Sequence, residues 1–131
     1  MSVETILAKT MKEVPKALAA GVVDMSTGML LGVKTVDTHP DEVLDLVAGA
    51  AKEMFEGDNV IAIEDIFKRG RGVDGSERLI KEITFTTPRT LHIFERLSSS
   101  PSTVILAVCH ADTNLGLALM KMRSISGSES I

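Results

Sequence analysis

The sequence contains no tryptophan, no tyrosine and only four phenylalanines. Its core must therefore be built from Val, Ile, Leu, Ala and Met, and aromatic rings on which nucleic-acid bases could stack are nearly absent. A basic surplus is missing too. The 14 Lys and Arg are outnumbered by 18 Asp and Glu, for a net charge of −4, the wrong sign for neutralising a phosphate backbone. The single cysteine, Cys109, has no second thiol to pair with, in keeping with a reducing compartment. No apolar run reaches the roughly 18 residues that span a bilayer. Residues 1–12 lack the charged start and apolar block of a secretory signal. A cytoplasmic chain without nucleic-acid binding or membrane insertion is expected.

Signatures of chemistry are equally scarce. There is no G-x-x-x-x-G-K-[ST] loop and no G-x-S-x-G elbow, so neither a nucleoside triphosphate site nor a serine nucleophile is indicated. Residues 70–75 match G-x-G-x-x-G, but a dinucleotide fingerprint needs a strand before it and a helix after it. Here the order is reversed, and the segment reads as a linking loop. The soft metal ligands are His39, His92, His110 and Cys109. Cys109 and His110 are neighbours on a strand and point to opposite faces, while a structural zinc needs about four converging ligands. No catalytic residue, cofactor or metal is expected.

What is present is an ordered series of apolar patterns. The 131 residues, 44% apolar, suit one domain over residues 1–131, with a core from about 3 to 125 and a frayed polar tail over 124–131. Val3, Ile6, Leu7, Thr10, Met11 and Val14 follow helical spacing until Pro15. Residues 17–25 and 29–33 flank Ser26-Thr27-Gly28 as a hairpin. Thr38 and Pro40 form a helix start, and Val43, Leu46, Val47, Ala50, Ala51, Met54 and Phe55 its apolar stripe. Gly57-Asp58-Asn59 breaks or bends that helix. The next residues read as a helical continuation to about Arg69, with a strand over 60–63 as the alternative.

After a loop over 70–78, strands are expected at 79–86, 90–97 and 103–110. Strand 3 alternates Leu79, Ile83 and Phe85 against Lys81. Strand 4 alternates Leu91, Ile93 and Leu97 against the polar His92 and Arg96. Strand 5, from Val104 to Cys109, has no polar face and should be central, with helices on both sides. Asp112-Thr113-Asn114 caps a last helix with Leu115, Ala118, Leu119 and Met122 inward. Met11, Met54, Met120 and Met122 are read as core filling. The order is α, β, β, α, β, β, β, α, an α/β fold.

That order, with the hairpin Ala20-Gly21-Val22-Val23-Asp24-Met25-Ser26-Thr27-Gly28-Met29-Leu30-Leu31 and the helix entry Asp112-Thr113-Asn114-Leu115-Gly116-Leu117-Ala118, resembles the roadblock (dynein light chain) family over residues 5 to 123. The resemblance implies a profilin-like roadblock fold: a five-stranded antiparallel sheet in the order 2-1-5-4-3, flanked by helices on both faces. It also implies pairing as a homodimer or heterodimer, and binding to small Ras-like GTPases or to motor assemblies, without a catalytic signature. The stretch from Gly57 to Gly72 is longer than the family's minimum.

A dimer or partner surface is expected at Val47, Ala48, Ala51, Met54 and Phe55 of helix 2, with Ile80 and Glu82. Small residues there permit close helix approach, although packing on the chain's own sheet would account for much of the same pattern. Lys68, Arg69 and Arg71 are the candidate partner loop, or a cap for the helix's C-terminal end. The expected function is a homodimeric regulator or scaffold of a small Ras-like GTPase. A structural adaptor in a motor or signalling complex is the alternative, and a profilin-like or PAS-like ligand sensor a more distant one. A small enzyme is disfavoured.

Overall fold

The computed structural model describes residues 2–36, 41–72 and 78–129, without the side chains of 41–45. The expected helix cap at Thr38 and Pro40 lies outside the described residues.

Helix α1 spans Val3–Glu13 and begins where the Ser2 hydroxyl accepts from the Thr5 amide, so one of the unpaired first-turn N–H groups is satisfied. Strands β1 (Ala17–Asp24) and β2 (Met29–Thr35) form the hairpin. Its turn is held by Asp24, whose carboxylate accepts from the Ser26 amide and hydroxyl and from the Thr27 hydroxyl. These bonds lower its pKa, and Gly28 takes the left-handed conformation that closes the turn.

Helix α2 (Asp41–Glu56) is followed by a separate helix, α3 (Asp58–Arg71). Gly57 makes the junction possible: a Cβ there would stand 2.6 Å from the Glu53 carbonyl oxygen. The residues after Gly57 are thus helical rather than a strand over 60–63. Strands β3 (Glu82–Thr86), β4 (Thr90–Arg96) and β5 (Thr103–His110) follow, and α4 (Leu115–Ser128) closes the chain.

The five strands form one antiparallel sheet in the order β2-β1-β5-β4-β3. β5 is central, as its unbroken apolar run requires. Alternate residues enter two cores. Ile105, Ala107 and Cys109 join Ile6, Leu7, Met122 and Ile125 under α1 and α4. Val104 and Leu106 join Ala48, Ala51 and Phe55 under α2. Gly32 lets α1 close on β2, because a Cβ would lie 2.7 Å from Val3.

Several expectations need correction. β3 starts at Glu82 rather than at residue 79, since the amides of Leu79 and Ile80 are taken by the Glu64 carboxylate instead of a neighbouring strand. Arg96 is buried, not on an open polar face. Met120 and Leu115 are exposed, whereas Met122 is core. The tail over 124–131 is not frayed across its described residues. α4 continues to Ser128, Ile125 is fully buried, and the Glu129 carboxylate meets Lys9 at 2.6 Å.

Candidate functional site

The residues expected to form a partner surface are mostly spent inside the molecule. Ala48, Ala51 and Phe55 are fully buried, and Val47, Met54 and Ile80 pack beside them between α2 and the sheet. The small residues of α2 serve its approach to its own sheet. Glu82 is bound to Arg123 of α4 at 2.7 and 2.8 Å. At the basic cluster, Lys68 is buried, while Arg69 and Arg71 are exposed and the Arg71 guanidinium lies 5.9 Å from the Phe67 ring centre. Three basic side chains in the last turn of α3 complement the carbonyl end of the helix dipole.

The outward faces tell more. Along α3, Ile63, Ile66 and Phe67 recur at the three- and four-residue spacing of one helix face and are more than half exposed, at 54%, 60% and 53%. Phe67 adjoins Leu79, itself 37% exposed, in the chain that leads into β3. Leu46 of α2 is exposed as well. β3 is an edge strand, so one side of its backbone has no neighbour in the sheet. On the α2-side face of β3, Phe85 stacks on His92 at 4.4 Å and on Phe94 at 5.9 Å. Burial lowers the His92 pKa. Exposed apolar rows and open sheet edges are the usual marks of an association surface.

Arg96, on β4, is the polar organiser of the same flank, a role that the alternation of its strand does not reveal. Its Nε donates to the Ile80 carbonyl at 2.6 Å. Its Nη1 donates to the Glu56 carboxylate and to the Pro101 carbonyl, both at 2.7 Å. Its guanidinium carbon sits 5.1 Å from the Phe55 ring centre. Glu64 has a parallel role in α3, accepting from the Leu79 and Ile80 amides. These two side chains fix the residues that carry the chain from α3 into β3.

An apolar cleft of about 280 Å³ opens on the α2 side of the sheet, lined by Leu18, Gly21, Val36, Val47 and Val108, with His92 and Thr90 at one end. Cys109 is buried, and the low dielectric around it pushes the thiol up to about 11, away from the thiolate a nucleophile needs. His110, adjacent in sequence, is exposed and meets Asp112 at 2.8 Å. Among the described residues, no group of three or more His, Cys, Asp or Glu is placed to hold a metal. No helix among them is long and apolar enough to cross a membrane.

No protein-family model and no curated protein matches the sequence. Solved structures do match the fold. MglB with a tetrameric arrangement superposes with a TM-score of 0.69 at 16% identity, over 96% of this chain and 83% of that one. A Roadblock/LC7 domain from Streptomyces avermitilis gives 0.64 at 14% identity, over 96% and 92%. This is a roadblock-type fold. Profilin II of Acanthamoeba castellanii, at a TM-score of 0.55 and 13% identity over 95% and 90%, shares the same sheet-and-helix plan, as the profilin-like description requires. Relative to the expected roadblock element order, α3 is an additional helix inserted between α2 and β3, and it carries the exposed Ile63, Ile66 and Phe67.

Proposed function

We propose that this chain is a self-pairing, non-enzymatic regulator or scaffold of a small Ras-like GTPase, working as a single domain in the cytoplasm. The observation that carries the reading is the unpaired edge of β3, together with the exposed row Ile63, Ile66 and Phe67 on α3. Two copies related by a two-fold axis would lay their β3 edges antiparallel, satisfy each other's free backbone groups and bury both apolar rows. The roadblock-type fold and the tetrameric arrangement of the similar MglB structure support self-association. The GTPase comes from what the roadblock resemblance implies, and the partner would supply the nucleotide site.

Light scattering tests the pairing. The expected result is a dimer near twice 14.0 kDa that Ile66→Glu converts to a folded monomer; a wild-type monomer at high micromolar concentration would remove the proposed interface. GTP turnover by a candidate small GTPase, with and without this protein, tests regulation. A GTPase that binds with unchanged turnover would favour the alternative of a structural adaptor, because an adaptor presents the same surfaces without reaching the partner's switch region.

A further inference from the structure

Helix α3 is built inside out. The buried residues of α1 and α4 are mostly apolar, among them Ile6, Leu7, Met122 and Ile125, whereas those of α3 are Glu64 and Lys68. Glu64 ties the helix to the chain beyond it, accepting from the amides of Leu79 and Ile80 and meeting the Arg78 guanidinium at 3.5 Å. Charged side chains thus face inward, and Ile63, Ile66 and Phe67 are left on the outer face, each more than half exposed. A helix of a globular domain normally turns such a stripe toward its own core. Here the cover for the stripe must come from another surface.

The residues that flank the row indicate what that surface is. At about 3.6 residues per turn, Asp58, Ala62 and Arg69 run along one side of the row, and Val60 and Phe67 along the other. Asp58, Ala62 and Arg69 are exposed and Val60 is half-buried. Asp58 and Arg69 stand equally far, in opposite directions, from the point between Ile63 and Glu64, and so do Val60 and Phe67. Among the described residues neither Asp58 nor Arg69 forms an ion pair. One end of the outer face is therefore acidic and the other basic, with both charges available.

A two-fold axis crossing α3 between Ile63 and Glu64 reverses the helix and keeps each flank beside the same flank of its copy. It sets Arg69 of each helix against Asp58 of the other and Phe67 of each against Val60, with Ile63 and Ile66 between them. We infer that α3 docks antiparallel on the α3 of a second copy of this chain, closed at both ends by an Asp58–Arg69 pair. The inference rests on the self-pairing proposed above and names the contact that α3 makes in it. Charge selects this occupant: a partner helix of one sign would match a single end of α3, and a parallel copy would bring the two basic ends together, whereas the antiparallel copy matches both ends.

Charge exchange in the full chain, read by sedimentation equilibrium at fixed ionic strength, tests this. Asp58→Lys sets cation against cation at both ends of the pair, and Arg69→Glu sets anion against anion, so each variant alone should dimerise at least about tenfold more weakly than the wild type. Mixed together, the two variants should form a heterodimer, because each supplies the charge that the other lacks. Both changes in one chain should restore the homodimer to within about threefold of wild type. Both positions are exposed, and circular dichroism checks that every variant keeps its helices. A wild-type monomer at high micromolar concentration would overturn this contact and the self-pairing together. A wild-type dimer that neither single change weakens, or weakened variants that do not recover on mixing, would overturn the α3 contact and leave pairing through the β3 edge standing.

Discussion

Glu82 and Glu95 stand opposite each other across β3 and β4, and Arg123 of α4 grips only the first of them. Glu95 is 5% exposed and its Oε2 has no partner. Burial and then the neighbouring Glu82 carboxylate push its pKa up to about 9, while Arg123 holds Glu82 well below the usual carboxylate range. The two carboxyl groups accordingly share a proton at neutral pH.

The pair makes stability depend on pH in a defined direction. The ordinary value for Glu95 is 4.5 and its folded value is about 9, so between these limits the folded chain holds a proton that the unfolded chain releases. Its contribution is complete below about pH 4.5 and is lost as pH rises through 9. Glu82 acts oppositely: its contribution is present above 4.5 and is lost as pH falls toward its depressed value. Urea unfolding at several pH values between 5 and 9 should show stability declining in the wild type, and Glu95→Gln should flatten that decline. Equal slopes in the two proteins would refute the assignment.

Ile125 should behave as a core residue although it lies in a stretch that reads as a polar tail. It is fully buried on the inner face of α4, and Ile125→Ala is expected to cost about 2–5 kcal/mol. Deleting residues 124–131 should be worse, because it also removes the Ser126 carbonyl that receives the Ser98 amide and the Glu129 carboxylate that meets Lys9. Thermal unfolding gives both values; a truncated protein as stable as the full chain would disprove the docking of this segment.

Two glycines of the α2–α3 region predict opposite signs. Gly57→Ala drives a methyl against the Glu53 carbonyl oxygen and should destabilise by about 1–3 kcal/mol. Gly70 lies within α3 with nothing near its absent Cβ, so Gly70→Ala should stabilise by up to about 1 kcal/mol through helix propensity. Denaturant midpoints measured side by side check the pair, and a loss of stability in both would mean that the junction is built differently.

Arg96→Met should be among the costliest single changes. It leaves the Glu56 carboxylate and the Ile80 and Pro101 carbonyls without their donor, a loss of about 3–5 kcal/mol when a buried ion pair is broken from one side. Glu56→Gln keeps an acceptor in place and should cost less. Comparable stability losses in the two variants would show that the charge pair, rather than the clasp on the backbone, is what Arg96 contributes.

The sheet order was legible because β5 alternates apolar residues on both faces, a pattern only a central strand tolerates. What covers the apolar face of α2 was not. Ala48, Ala51 and Phe55 share one face of α2, and periodicity shows that a face is apolar without showing what covers it. The answer depended on β4, where Phe94 points toward α2 and fills the space above it. Likewise Arg96 alternates like a solvent-facing residue, and only the chain folding back from Glu56, Ile80 and Pro101 places acceptors around it. Ser126 and Ser128 disguised the end of α4, since their hydroxyls return to the helix's own carbonyls: Ser126 to Arg123 and Ser128 to Ser124.

The central position of Cys109 has a practical consequence. With neither tryptophan nor tyrosine in the chain, unfolding leaves almost no trace in ultraviolet absorbance or intrinsic fluorescence. The lone thiol, sealed between β5 and the α1–α4 layer, can stand in as a chemical clock: a thiol-reactive dye added to the native protein should label it only as fast as the sheet opens.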